Sequence, residues 1–282
     1  METALGSITI PHIDFARNVL NQILAESNLD ASNDRVRKLN TQYLSLVPRQ
    51  VGRIIDEGDM ILDGDKANEE FDLLSGMEAA LKVGTQTDED KPKKPDLGMD
   101  IELVTDGKIS KQVIDQFEST RKHGDVSNWK PKRVFGIFND AEQKKYRLPV
   151  ADSDEFDLFH GSATSNILSI MMNGYYVPPS SASHVTGRMF GNGVYGASCS
   201  TKAFRYAVGL WGGNRGGNRA YCFVVRFAMG KIYNTNTTQY SGAPKGYHSI
   251  HAKAGSSLLN DEYIVYNTNQ TKNLYLIELE KR

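Results

Sequence analysis

Hydrophobic positions recur at helical spacing through the first 83 residues, and then the rhythm changes. In HIDFARNVLNQILAES, Ile13, Ala16, Leu20, Ile23 and Leu24 fall on one stripe of a helix. Ser32, Asn33 and Asp34 are cap candidates for a second helix, with Val36, Leu39, Tyr43, Leu46 and Val47 as its stripe and Pro48 as its end. Phe71, Leu74 and Leu81 mark a third, with Gly84 as its stop. A shorter fourth helix is expected near residues 52–62.

The stretch GTQTDEDKPKKPD, residues 84–96, is polar, charged and carries two prolines, so it reads as an exposed linker. Its Lys91, Lys93 and Lys94 are the residue type that touches phosphate, but a run of this kind is more often a solvated hinge. Beyond it the pattern is mostly that of strands. GMDIELVTD, KRVFGIFN, EFDLFHG, GVYGAS, RAYCFVVRFA, KIYN, EYIVYN and NLYLIELE read as strands, and ISKQVIDQFESTRKHG, TSNILSIMMNG and STKAFRYAVGLW as helices. The expected organisation is a helical subdomain over 1–83, a linker over 84–96 and an α+β domain with a largely antiparallel sheet over 97–282. The glycines of GGNRGGNR, residues 212–219, are of the type that cradles phosphate, but no helix pattern follows directly, and a flexible loop is the better reading.

Composition narrows the function. The 282 residues carry a formal net charge of −1, so nothing pulls the whole chain toward nucleic acid or an anionic membrane. The two cysteines, Cys199 and Cys222, are too few for a disulfide framework or a cysteine-rich zinc module and suit a reducing compartment. The first residues lack the apolar run of a signal peptide, and no segment reaches the length of a membrane span, so a soluble intracellular protein is expected. The six histidines include no HxxxH or HExxH spacing. His248 and His251 have no close carboxylate in sequence, so no metal is expected.

Three segments each set a polar group at the end of an apolar β run: His160 in LFHGSATSN, Tyr195 in TGRMFGNGVYGAS and Glu262 in SLLNDEYIVYN. Singly, a histidine beside glycine is usually structural, a tyrosine among glycines a packed aromatic, and a glutamate at a strand start a solvated edge residue. Yet Glu262 opens a strand apolar on both faces, where an unpaired carboxylate is costly. Together, His-Gly-Ser, then Met-Phe-Gly-x-Gly-hydrophobic-Tyr, then Asp-Glu-Tyr-Ile-Val-Tyr resemble the catalytic domain of the poly(ADP-ribose) polymerases, the His-Tyr-Glu branch of the diphtheria-toxin-like ADP-ribosyltransferases. The resemblance runs from about residue 97 to the end. VPPSSASHVTGRMFG is similar to the family's donor loop and PKGYHSIHA to the stretch before its catalytic strand. KLNTQYLSLVP and FDLLSGMEAAL resemble later helices of the family's regulatory helical domain, here shortened.

The resemblance implies the ADP-ribosyltransferase fold, two packed, mainly antiparallel sheets with flanking helices, and NAD as substrate. It implies roles residue by residue. The Gly161 backbone clamps the nicotinamide amide, His160 bonds a ribose hydroxyl, and Ser162 and Asn166 hold the adenosine side. Tyr195 and Tyr206 sandwich the nicotinamide ring, Arg188 contacts the pyrophosphate, and Lys202 meets Glu262 or the acceptor. Glu262 is the catalytic carboxylate, acting with His160 and Tyr195. The pattern departs from the family at Ala203, where a serine commonly bonds the nicotinamide amide. Ser200 and Thr201 are the nearby candidate hydroxyls to replace it. It departs also at Gly196 for phenylalanine and at Asn192 for lysine.

The activity implied is transfer of ADP-ribose to protein or nucleic-acid acceptors, automodification included, with chain building favoured by Glu262. Single transfer, NAD hydrolysis and a non-catalytic NAD or ADP-ribose binding module are the alternatives. No zinc finger or Trp-Gly-Arg module is seen that would support activation by DNA, and the shortened helical domain implies weaker autoinhibition.

Overall fold

The structure, a computed structural model, describes residues 2–3, 6–47, 57–84, 97–124, 126–177, 189–208, 218–255 and 258–282. The chain divides into two compact units, one within residues 1–95 and the other within residues 96–177 and 188–282.

The first unit begins with a short antiparallel pair, β1 (Glu2–Thr3) and β2 (Gly6–Ser7), followed by helices α1 (Ile10–Leu24), α2 (Asp34–Leu46) and α3 (Gly64–Gly84). The expected stripes form its core: Ile13, Leu20, Ile23 and Leu24 of α1 pack with Leu39 and Tyr43 of α2 and Phe71 and Leu74 of α3. Asn33 caps α2, its side chain accepting from the Arg35 and Val36 amides. The expected fourth helix falls partly outside the described residues. Its described part, residues 57–62, forms turns and bends instead. Asn40 pins that segment. It is fully buried, donates to the carbonyls of Val36 and Ile61 at 3.0 and 3.3 Å, and accepts from the Ile61 amide at 2.6 Å. The expected linker lies almost wholly outside the described residues.

The second unit is α+β, with two mainly antiparallel sheets. In chain order its elements are β3 (Asp100–Leu103), α4 (Gly107–Ser119), β4 (Trp129–Phe138), α5 (Asp140–Lys145), β5 (Glu155–Gly161), a 3₁₀ turn (Thr164–Asn166) and α6 (Ile167–Asn173). There follow β6 (Val194–Gly196), α7 (Ser200–Ala207), β7 (Arg219–Ala228), β8 (Ile232–Thr235), β9 (Ser249–Ala252), β10 (Glu262–Val265) and β11 (Thr271–Lys281). One sheet has the order β3-β4-β11-β7-β5, the other β6-β10-β9-β8. Only the β8–β9 pair is parallel among the described strands. The interior strand β7, between β11 and β5, is buried on both faces, which is why its sequence shows an apolar run rather than alternation.

The sheets meet where the site lies. Phe159 of β5 and Ala197, just past β6, exchange both backbone hydrogen bonds at 2.9 Å. This bridge joins the edge of one sheet to the edge of the other. Residues 160–162 and 195–198 are thereby held side by side. β11 carries a bulge between Asn273 and Tyr275, where Leu274 has no partner on β7. Asn273, at the edge of this bulge, is 1% exposed.

Candidate active site

Close approach begins at Gly161. A Cβ there would lie 1.8 Å from the carbonyl oxygen of Ala203, so glycine is what lets β5 pack against α7. His160, one residue earlier, sits opposite Phe223 of β7. Its Nδ1 lies 2.8 Å from the carbonyl oxygen of Tyr195. A carbonyl only accepts, so Nδ1 carries the proton. Burial holds the imidazole pKa below its ordinary value, more than the Tyr195 bond raises it. The ring is therefore neutral at pH 7, and Nε2 keeps a lone pair with no protein partner among the described residues. That atom is an acceptor for a hydroxyl.

Tyr195 is fixed at its other end. Its hydroxyl donates to the Gly191 carbonyl at 2.7 Å and accepts from the Phe190 amide at 3.2 Å. Gly191 turns at φ +79°, and a Cβ there would meet the backbone of Gly242 at 2.7 Å, so this turn requires glycine. Tyr195 pairs with Ile264 of β10. Side chains two apart on a strand share a face, so Tyr195, Ile264 and Glu262 lie on the same face of the small sheet.

Glu262 is not a solvated edge residue: it is 8% exposed. Its Oε1 pairs with Lys202 Nζ of α7 at 2.7 Å, and the same ammonium donates to the Asn260 carbonyl at 3.1 Å. The carboxylate that looked costly at the strand mouth thus has its counter-charge, and Oε2 is left without a protein partner among the described residues. Asn260 is 2% exposed and its Nδ2 lies 2.9 Å from His123 Nε2, which brings the segment after α4 beside the pair. His123 and Asn260 escape a sequence reading because a 137-residue separation hides their meeting.

Ser162 Oγ accepts from Asn166 Nδ2 at 2.8 Å, so these two form one unit. Tyr206 of α7 is 43% exposed. Arg188 and most of the donor-loop stretch lie outside the described residues, as do Gly212 to Gly217. Ser200 and Thr201, the hydroxyls near Ala203, are engaged with other parts of the chain. The Ser200 hydroxyl donates to the Phe117 carbonyl at 2.6 Å and that of Thr201 accepts from the Lys122 amide at 3.2 Å, so both serve the contact with α4 and its C-terminal segment. At Gly196 a Cβ would meet the Phe227 ring at 2.8 Å, so Phe227 occupies the space a larger residue needs.

Asp261, the neighbour of Glu262, is itself engaged: Oδ2 is 2.7 Å from His251 Nε2, and Oδ1 accepts from the Ala254 amide at 2.9 Å. The His251 ring stacks on Tyr263 at 4.3 Å. Burial works to raise the Asp261 pKa, but the Ala254 and His251 bonds outweigh it and hold the group below the usual carboxylate value. This pair clasps the loop that delivers Glu262. No group of three His, Cys, Asp or Glu side chains among the described residues is placed to share a metal ion. No helix among them is long and apolar enough to cross a membrane.

The family model described as the poly(ADP-ribose) polymerase catalytic domain matches residues 110–257, which include His160, Tyr195 and Lys202 and stop just short of Glu262. Poly [ADP-ribose] polymerase 1 of Xenopus laevis is 26% identical over 316 aligned positions, covering 98% of this chain and 31% of that protein. The protein mono-ADP-ribosyltransferase PARP4 of Homo sapiens is 24% identical, covering 97% of this chain and 16% of that protein. A putative poly [ADP-ribose] polymerase-like protein, 100L, of Invertebrate iridescent virus 6 is 27% identical over 60% of this chain and 92% of its own length. The chain spans less than a third of the length of these two vertebrate relatives.

Proposed function

Because the chain belongs to the poly(ADP-ribose) polymerase catalytic-domain family, we propose that it is an NAD-dependent ADP-ribosyltransferase that breaks the nicotinamide–ribose bond and passes ADP-ribose to protein acceptors, itself included. One observation carries this reading. A neutral histidine with a free acceptor nitrogen, a tyrosine ring and a lysine-paired carboxylate converge where the two sheets join, with His160 and Tyr195 bonded directly and Tyr195 sharing a face with Glu262.

The roles follow from charge. The nicotinamide ring of NAD is cationic, and a tyrosine face attracts it by roughly 0.5–2 kcal/mol. The ring is neutral once it has left, so that attraction fades along the reaction. Tyr195 and Tyr206 therefore supply binding and orientation rather than rate. Rate comes from stabilising the positive charge that grows on the ribose. Glu262 has the right sign, and its Oε2 is available to a ribose hydroxyl while Oε1 stays with Lys202. His160 Nε2 accepts from another ribose hydroxyl. The Gly161 backbone holds the amide, the Ser162–Asn166 unit the adenosine side, and Arg188 the pyrophosphate. Ala203 offers no hydroxyl to the amide, so the backbone clamp carries more of that contact here.

Chain growth is the form of transfer we infer, because Glu262 can also orient an incoming hydroxyl. The test is incubation with labelled NAD. A ladder of products supports chain growth. A single labelled band or free ADP-ribose supports single transfer or hydrolysis at the same site. No consumption of NAD overturns the transferase reading.

A further inference from the structure

Against the His160 ring lies a largely buried polar chain that the roles above do not use. The Tyr175 ring meets the His160 ring edge to face at 4.7 Å and 73°. Tyr175 is 8% exposed, and its hydroxyl donates to Asn273 Oδ1 at 2.8 Å. Asn273, aimed inward beside the β11 bulge and 1% exposed, donates to both oxygens of Glu142: its Nδ2 to Oε1 at 2.8 Å and its backbone amide to Oε2 at 3.1 Å. Glu142 sits in the first turn of α5, whose cap residue Asn139 also holds α6 through the Met171 and Met172 carbonyls. Three residues far apart in sequence thus run from a carboxylate to the ring of the active-site histidine. No element of them belongs to the motifs that mark the family resemblance.

We propose that Tyr175 is a positioning residue for His160, and that the Tyr175–Asn273–Glu142 chain sets how firmly His160 is held for the ribose of NAD. The proposal rests on the transferase reading for its ligand and on the geometry for its mechanism. With Glu142 ionised, both its oxygens accept, the Asn273 amide presents Oδ1 to Tyr175, and the tyrosine hydroxyl is fixed as a donor. With Glu142 protonated, its hydroxyl needs an acceptor, so the Asn273 amide must turn over. Nδ2 then faces Tyr175, and the tyrosine O–H is left buried without an acceptor among the described residues. The ionised chain holds Tyr175, and through it His160; the protonated chain releases both.

The switch falls in an accessible range. Burial raises the Glu142 pKa to about 7, against the two Asn273 bonds and the charge of Lys272 on β11. The other titratable groups around the chain are His160 on β5, Cys222 on β7 and Tyr175 itself. Burial lowers the first and raises the other two, so each of them favours its neutral form at pH 7. Lys144 and Lys145 share α5 with Glu142.

The test compares the protein with its Glu142→Gln and Tyr175→Phe variants between about pH 5.5 and 8.5. An edge-to-face contact is worth roughly a three- to tenfold effect on binding. The KM for NAD is therefore expected to fall by about that factor as pH rises through about 7, with kcat changing less than twofold. Glu142→Gln, which copies the protonated acid, and Tyr175→Phe, which keeps the ring but not the hydroxyl, are both expected to lose this pH dependence and stay near the acid value. Variants that keep the dependence, or that lose kcat at constant KM, overturn the proposal. The His160 ring resonance of the NAD-free protein gives a readout without turnover. It is expected to move with pH around 7 and to stand still in Glu142→Gln; a stationary signal in the unsubstituted protein overturns the proposal. A moving signal in a protein that consumes no NAD would refute the transferase reading while upholding the chain's hold on His160.

Discussion

A glutamate drawn against the fold can serve opposite ends, and this molecule shows both. Glu262 faces the Lys202 ammonium at 2.7 Å, whereas Glu142 has neutral hydrogen-bond donors and a raised pKa. The second case has a consequence for stability. The folded value of Glu142, about 7, lies above its unfolded value of 4.5, so the folded protein binds the proton more tightly. That contribution is fully present below about pH 4.5 and is lost as pH rises through about 7, amounting to roughly 3 kcal/mol by pH 8. Glu142→Gln is expected to remove this slope, so that its melting temperature gains on that of the unsubstituted protein as pH rises from about 5 to 8. A constant difference across that range would count against the assignment. Asn40 offers a simpler case. Asn40→Ala strands the Ile61 amide and carbonyl in the core of the first unit, which should cost about 2–4 kcal/mol in urea unfolding of that unit. At this scale the sequence was partly readable. His160, Tyr195 and Glu262 stood out because each interrupts an apolar run. The Asp261–His251 pair and the Tyr175–Asn273–Glu142 chain did not, since each depends on a strand register or a bulge that no local pattern records.

At the scale of elements, packing decides what periodicity cannot. Helices α1 to α3 were legible because each buries one stripe, and Asn33 announced its cap. Helix α5 was missed because it buries no residue and so has no stripe; Asn139 and the charges at its ends support it instead. Strand β9 was missed because four residues, SIHA, are too few to show alternation. The β5–α7 contact is the element-level feature on which the site most depends. Gly161→Ala places a methyl group against the Ala203 carbonyl, and backbone cannot swing aside as a side chain can. The expected result is a loss of about 3 kcal/mol of stability together with loss of NAD binding. Full NAD affinity in a folded Gly161→Ala protein would show that β5 and α7 need not touch.

For the molecule as a whole, two statements bear on regulation and reaction. The net charge of −1 gives no overall attraction to a polyanion, so nicked duplex DNA is expected to change the rate of NAD consumption less than twofold at physiological salt. Strong stimulation would reveal a local basic surface that the balance of charges conceals. The central claim is that Glu262 supplies rate and the aromatic and backbone groups supply binding. Glu262→Gln keeps the size and hydrogen-bonding reach of the side chain and removes only its charge. The direct measurement is kcat alongside the dissociation constant for NAD in this variant. We expect kcat to fall by a factor on the order of 100 or more while NAD affinity changes less than about threefold. Undiminished turnover, or a loss confined to NAD affinity, would contradict the account.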